Sequence, residues 1–209
     1  MGFYPMFLDL TGRPCVVVGG GVVAERRVET LLVAGAGVTV VSAEVSPGLA
    51  ALAEAGRVRH VARSYRPGDL AGAELAFTAV NDPAVSSAVA LEARERAVWL
   101  NAADDPEHCD FILPGVVRRG VLTLAVGSSG ASPALTRALR EHLDSVLGPE
   151  WEALGELAAT ARRDLRAAGR VTDGDTWRRA LASDVRALLA EGRVGEARHR
   201  LRTRLELPA

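Results

Sequence analysis

Residues 13–25, which read RPCVVVGGGVVAE, constrain the fold of this chain more than any other stretch. The apolar, β-branched run over residues 15–18 is typical of a buried parallel strand, and it leads directly into three glycines and the start of a helix. Gly19, Gly21 and Ala24 fill the small positions of G-x-G-x-x-G/A, a pattern in which backbone N–H groups at a helix N-terminus bind a pyrophosphate. The stretch therefore predicts a strand, a turn and a helix that bind a dinucleotide.

Glu44 follows Gly21 by about twenty residues, the separation at which such units place an acidic residue on the adenosine ribose. A helical pattern that ends at Gly35 and an apolar run over residues 38–41, which predicts a second strand, lie between them. Because two residues separate Glu44 from that strand, a solvated loop glutamate is the alternative interpretation. Residues 42–52 contain no arginine for a 2′-phosphate, so the sequence predicts NAD rather than NADP.

The alternation of helices and strands continues through the first half of the chain and then changes. Helices are predicted near residues 47–55 and 84–96, and strands near 58–62, 75–80, 98–101 and 111–113. Two β-branched runs around Arg119 and Gly120 then predict a hairpin over residues 116–126. Ser132 and Pro133 suit the N-cap and first position of the next helix, which carries an apolar stripe. Later helices are predicted over residues 151–168, 175–190 and 194–205.

Composition excludes several classes of protein. The 209 residues carry a formal net charge of −1, which gives no reason to expect a nucleic-acid or anionic-membrane partner. No apolar run has the length of a membrane span, and the first residues lack the features of a signal peptide, so we expect a cytoplasmic protein. Cys15, Cys109 and His108 show no metal-ligand spacing, and no metal ligands are predicted.

Four segments resemble, in order, the NAD-dependent precorrin-2 dehydrogenase and sirohydrochlorin ferrochelatase family, which includes the dehydrogenase-chelatase part of siroheme synthase. They are YPMFLDL at residues 4–10, VVVGGGVVAERR at 16–27, LNAADDPEHCDFILPG at 100–115 and LAVGSSGASPALTRALREHL at 124–143. The resemblance implies oxidation of precorrin-2 to sirohydrochlorin with NAD as hydride acceptor. In bifunctional members of that family, ferrous iron is also inserted to give siroheme.

The resemblance also implies the organisation of the chain. We expect an α/β fold with a Rossmann-like parallel sheet domain over residues 1–113, a small α+β dimerisation region over 114–147 and a helical C-terminal domain over 148–209. Two short apolar strands need further sheet or a second subunit to cover them, which also favours a homodimer. The competing functions are an NAD-binding redox sensor without turnover and an unrelated small oxidoreductase.

Asp104 is the predicted catalytic residue. It follows the strand predicted over residues 98–101, at the edge where open α/β sheets place ligands. Its carboxylate can accept the proton that remains when the macrocycle loses a hydride, or it can hold the substrate. Spacing alone favours an Asx turn before Pro106 for Asp104 and Asp105 over catalysis, and the resemblance reverses this preference for Asp104.

The remaining site residues fall into two groups. The loop over residues 127–133 and nearby arginines suit the carboxylates of a tetrapyrrole, although this loop equally fits a connector and the arginines equally fit solvated charges. The predicted substrate-binding residues are Ser128, Ser129, Arg118 and Arg137. The predicted cofactor-binding residues are Gly19, Gly21, Val22, Val23, Ala43 and Glu44.

Overall fold

The chain divides into two compact units, Met1–Ile112 and Leu113–Ala209. A computed structural model describes residues 2–103 and 105–208. Within those residues, no helix is both long enough and apolar enough to cross a membrane. Each unit has its own hydrophobic core.

The first unit is built on a five-stranded parallel sheet in the order β3-β2-β1-β4-β5, which is the strand order of a Rossmann fold and confirms the predicted fold class. Helices and one short 3-10 turn, Pro106–His108, complete it. The strands are β1 Pro14–Val18, β2 Gly37–Val41, β3 Arg59–Val61, β4 Leu75–Thr78 and β5 Trp99–Ala102. The helices are α1 Val22–Val33, α2 Pro47–Glu54 and α3 Pro83–Arg96.

Strand β1 lies at the centre of the sheet and is buried on both faces. Cys15 and Val17 pack in the core formed with α1 and α2, whereas Val16 and Val18 pack in the core formed with α3. This explains why β1 reads as a continuous apolar run rather than an alternating one. Burial also raises the pKa of the Cys15 thiol to about 11, so this cysteine stays a neutral core residue.

The prediction of a strand over residues 111–113 is wrong. The Asp110 carboxylate accepts a hydrogen bond from the Leu100 N–H at 2.8 Å, and the Asp110 N–H donates to the Leu100 carbonyl at 2.8 Å. The Phe111 ring then packs edge-on against Phe77, with ring centroids 5.6 Å apart. A side-chain acceptor and an aromatic contact thus hold this apolar segment beside β5 without a strand ladder.

The second unit begins with an antiparallel hairpin of β6 Gly115–Arg119 and β7 Leu122–Val126. Five helices follow: α4 Pro133–Val146, α5 Pro149–Ala167, α6 Gly174–Ala180, α7 Ser183–Ala190 and α8 Val194–Arg204. The Ser132 hydroxyl accepts a hydrogen bond from the Leu135 N–H at 3.1 Å, which confirms Ser132 as the N-cap of α4. The hairpin and the start of α4 are therefore as predicted.

The prediction of one helix over residues 175–190 is wrong, because α6 and α7 are separate helices. Arg204 of α8 donates to the Arg179 carbonyl in the last turn of α6, at 3.0 Å. The same guanidinium binds the Asp184 carboxylate in the first turn of α7. Hydrogen bonds from Arg204 and Arg200 hold the pKa of Asp184 well below its usual value. Contacts from a distant helix therefore stabilise the break.

Glu92 of α3 holds the long connection between β3 and β4. Its buried carboxylate accepts hydrogen bonds from the Gly68 N–H at 2.9 Å and the Leu70 N–H at 3.3 Å, and from the side chains of Tyr65 and Arg96. Burial alone would raise the pKa of Glu92, but these hydrogen bonds outweigh it and leave the pKa below its usual value. One ionised carboxylate thus replaces the backbone partners that this connection lacks.

We expect Glu92→Ala to lower the free energy of unfolding by about 1–3 kcal/mol, because the buried Leu70 N–H and the Gly68 N–H lose their acceptor. Because its folded pKa is depressed, Glu92 contributes stability above its unfolded pKa of about 4.3, and this contribution disappears as the pH falls through the folded pKa. On acidification, the free energy of unfolding of Glu92→Ala should therefore decrease less than that of the wild type. Urea unfolding across acidic and neutral pH measures both effects.

The matched control for Glu92 is Glu95→Ala, since Glu95 lies exposed on the same helix. Its free energy of unfolding should stay within about 0.5 kcal/mol of the wild type at neutral pH. Equal stabilities and equal pH dependence for the Glu92 and Glu95 variants would contradict the role given to Glu92.

Candidate functional site

Gly19 lies where the strand order reverses, between the carboxyl ends of β1 and β4, the place where open α/β sheets bind ligands. Its φ of +124° is in the region that favours glycine. A Cβ here would lie 2.4 Å from the Ala79 carbonyl oxygen, which follows β4. Glycine at this position therefore allows the loops after β1 and β4 to approach each other.

Gly20 also belongs to the candidate site, although the sequence pattern does not predict it. A Cβ at Gly20 would lie 1.9 Å from the Glu44 carbonyl oxygen and 2.7 Å from the Ser42 hydroxyl. The Gly20 carbonyl also accepts a hydrogen bond from the Ser46 N–H at 2.7 Å. The middle glycine thus brings the loop after β2 against the turn after β1. The sequence did contain a sign of this role, because the G-x-G-x-x-G/A pattern requires only Gly19 and Gly21, and a third glycine between them needs a separate reason.

Gly21 is the N-cap of α1, and no side chain of residues 2–103 or 105–208 caps this helix. A Cβ at Gly21 would meet nothing within 4 Å, so the space beside it is open. The side chains of Val22 and Val23 in the first turn are 60% and 46% exposed, whereas Ala24 is fully buried beneath them. An uncapped helix N-terminus with open space and apolar walls fits the pyrophosphate and ribose of a dinucleotide.

The loop that follows β2 carries two more of the predicted residues, Ala43 and Glu44, both of which are exposed. The Ser42 hydroxyl donates a hydrogen bond to the Glu44 carbonyl at 2.6 Å. The Ser42 carbonyl in turn accepts a hydrogen bond from His60 Nε2 at 2.9 Å. The structure therefore brings the backbone of this loop beside the glycine turn. The predicted cofactor residues of the first unit lie together at one edge of the sheet.

Asp104, the predicted catalytic residue, lies outside the described residues. On its C-terminal side, His108 Nδ1 lies 2.6 Å from the Asp105 carboxylate, to which it donates a hydrogen bond. The Cys109 thiol donates to the Ala102 carbonyl and accepts from the Ala102 N–H, each at 3.2 Å. Burial raises the pKa of Cys109, which keeps its thiol protonated for this contact. Hydrogen bonds thus fix residues 105–109 beside the end of β5.

The loop over residues 127–133 in the second unit contains Ser128 and Ser129. The Ser128 hydroxyl donates to the Ser132 carbonyl at 3.0 Å and accepts from the Ser132 N–H at 3.2 Å, so it stabilises the start of α4. Ser129 is exposed and has a φ of +51°, which is uncommon for a residue with a side chain. Of the two serines, Ser129 presents its side chain to solvent.

The predicted arginines of the second unit also lie at its surface. Arg118 is exposed in β6, and Arg137 of α4 donates from Nε to Glu141 of the same helix at 2.9 Å. Arg137 is 78% exposed in its side chain, and a surface pair of this kind contributes little energy, so its guanidinium can exchange partners. Among the described residues, no three His, Cys, Asp or Glu side chains group as metal ligands do.

Comparison with known proteins agrees with these features. Residues 6–115 match the family model described as "Putative NAD(P)-binding". The chain is 43% identical to a siroheme synthase of Methylobacillus flagellatus over 162 residues, which cover 78% of this chain and 35% of that protein. It is 35% identical to siroheme synthase 1 of Serratia proteamaculans over 210 residues, which cover 99% of this chain and 44% of that protein.

A solved structure resembles the whole chain. It is described as SirC, precorrin-2 dehydrogenase, and it superposes with a TM-score of 0.80 at 27% sequence identity, covering 98% of this chain and 100% of that one. By contrast, the chain spans less than half the length of these two siroheme synthases. The glycine turn and the parallel sheet both lie within the matched residues 6–115, and the chain belongs to this NAD(P)-binding family.

Proposed function

We propose that this chain is a precorrin-2 dehydrogenase, which oxidises precorrin-2 to sirohydrochlorin in siroheme biosynthesis. The observation that carries the proposal is the likeness to SirC, which extends over both units and leaves almost no part of either chain unmatched. The siroheme synthases support the same pathway, since siroheme synthase 1 of Serratia proteamaculans matches 99% of this chain. A dinucleotide cradle with open space at Gly21 supplies the site for the oxidant.

The dinucleotide of this proposal is NAD, which accepts a hydride when bound. The N–H groups of the glycine turn and of the first turn of α1 bind its phosphates, and Val22 and Val23 pack against it. The Glu44 carboxylate accepts hydrogen bonds from the adenosine ribose. A 2′-phosphate at this position would meet that carboxylate, which disfavours NADP.

Asp104 is the residue that we assign to proton transfer. The oxidation removes two electrons and two protons from precorrin-2, of which one proton and both electrons leave as hydride. Asp104 accepts the other proton and passes it to solvent. In the second unit, Ser128, Ser129, Arg118 and Arg137 are assigned to the carboxylates of the tetrapyrrole, which planar guanidinium groups bind well.

We also assign a homodimer, because the described part of the chain leaves the apolar face of α4 exposed. Leu135, Leu139 and Val146 lie at helical spacing on α4 and are 60%, 44% and 52% exposed. The neighbouring hairpin has only two strands, which rarely form a stable sheet alone. A second copy of this chain covers both features with one self-complementary interface.

Iron insertion into sirohydrochlorin is proposed as a second and weaker activity, with ferrous iron as a substrate. The name of the curated relatives supports it, because siroheme is an iron tetrapyrrole. We place the protein in the cytoplasm. Cys15 and Cys109 are free cysteines, which agrees with a reducing compartment.

An anaerobic assay with purified protein tests the function. With precorrin-2 and NAD, absorbance of NADH and of sirohydrochlorin should rise together, and kcat/KM should be at least roughly tenfold higher with NAD than with NADP. Binding of NAD without any formation of sirohydrochlorin would instead indicate the redox sensor. Equal or better use of NADP would reject the role of Glu44.

Asp104→Asn should lower kcat by roughly 10²- to 10⁴-fold, the usual effect of removing a positioned proton acceptor, while the Kd for NAD changes little. The control is Asp105→Asn, which removes the charged partner of His108 and should cost much less. A loss confined to KM would make Asp104 a substrate anchor. A folded Asp104→Asn protein with wild-type kcat and KM would leave it only a turn residue.

The double variant Leu135→Glu/Leu139→Glu should be a monomer at micromolar concentration, because four carboxylates would then meet in the dimer interface. Light scattering coupled to size-exclusion chromatography measures the mass. Val171→Glu is the control, since Val171 is fully exposed outside α4, and it should remain a dimer. A monomeric wild-type protein that is fully active would refute the assignment.

A further inference from the structure

Glu25 makes a contact that connects two separate parts of the dinucleotide site. It lies in the first turn of α1, next to the glycine turn, and it is half-buried. Its carboxylate accepts a hydrogen bond from the hydroxyl of Ser46, a residue 21 positions later in the chain. Ser46 is the N-cap of α2, and its hydroxyl also accepts a hydrogen bond from the Leu49 N–H at 3.3 Å. Glu25 therefore fixes the orientation of the cap of the neighbouring helix.

The space around this contact is closely fitted. A Cβ at Gly48, in the first turn of α2, would lie 2.2 Å from Glu25 Oε1. Helix α2 has no acidic residue of its own in that turn, so Glu25 supplies the negative charge that a helix N-terminus favours. Glycine at residue 48 thus leaves room for a carboxylate from another helix.

Ser46 transmits this contact to the loop after β2, which carries Glu44. The Ser46 N–H donates to the Gly20 carbonyl at 2.7 Å, so one residue contacts both the glycine turn and Glu25. At the other end of the loop, Ser42 accepts from His60 and donates to the Glu44 carbonyl. The loop is therefore fixed at both ends, while Glu44 between them projects its side chain into solvent.

We propose that Glu25 is a positioning residue for the cofactor: through Ser46 it sets the place of Glu44 relative to the glycine turn, and so determines affinity for NAD and discrimination against NADP. This inference rests on the dinucleotide site of the proposed function, but not on the identity of the tetrapyrrole. Glu25 acts through its hydrogen bond to Ser46, which lies between it and the loop.

The test compares the Kd values for NAD and NADP of the full-length protein, measured by calorimetry. Glu25→Ala should raise the Kd for NAD roughly tenfold, about the effect of one charge-assisted hydrogen bond, and the Kd for NADP much less. Glu25→Gln should restore most of the affinity, because its amide oxygen still accepts from the Ser46 hydroxyl. In the dehydrogenase assay, the loss should appear in the KM for NAD rather than in kcat.

Two further variants separate positioning from general stability. Glu29→Ala, which alters an exposed residue on the same helix, should bind NAD and NADP as the wild type does. Ser46→Ala should reproduce the loss seen in Glu25→Ala, and the double variant should lose little more, because the two residues act through one contact. Additive losses would show that Glu25 acts by another route and would overturn the proposal.

The remaining outcomes are equally decisive. If Glu25→Ala lowers the Tm but leaves the Kd for NAD within roughly twofold, Glu25 is merely structural. If the affinities for NAD and NADP fall by the same factor, it does not govern discrimination, and the proposal fails. A further outcome separates the two proposals. If Glu25→Ala binds NAD more weakly than the wild type, but the wild type does not oxidise precorrin-2, the inference stands and the proposed function fails.

Discussion

Three strand ends meet at Gly19 and Gly20 with no room for a side chain between them. Gly19 lies against the carbonyl of Ala79, after β4, and Gly20 lies against the carbonyl of Glu44, after β2. These contacts are between backbone atoms, so the shape of the dinucleotide cradle depends little on rotamers. Gly21 follows these two glycines directly as the N-cap of α1, and the N–H groups of a helix N-terminus are backbone donors as well.

The sequence predicts those parts of the fold that local interactions determine. Strand β1 is buried on both faces, so its apolar run is visible without any knowledge of its neighbours. Helices α3 and α4 are capped by Asp82 and Ser132, whose side chains accept hydrogen bonds from the first turns of these helices, and a proline follows each cap. Hairpin strands β6 and β7 are separated by a two-residue turn that begins at a glycine. In each case, residues close in sequence supply the decisive interaction.

Distant interactions account for what the sequence did not predict. Residues 111–113 are apolar like a strand, but the Asp110 carboxylate takes the N–H group that a strand partner would bind. The break between α6 and α7 depends on Arg204, which lies on α8. In the candidate site, the glycine pattern identified Gly19 and Gly21, whereas Gly20 and Glu25 are explained only by their contacts with the loop after β2.

The dependence of the β3–β4 connection on Glu92 has a consequence for biosynthesis. Gly68 precedes Glu92 by 24 residues, so the ribosome makes the connection before the carboxylate that orders it. At about 5–20 residues per second, this interval lasts roughly one to five seconds. During that time Tyr65 and the N–H groups of Gly68 and Leu70 are without their native acceptor. The connection therefore cannot form its native hydrogen bonds until α3 has been synthesised.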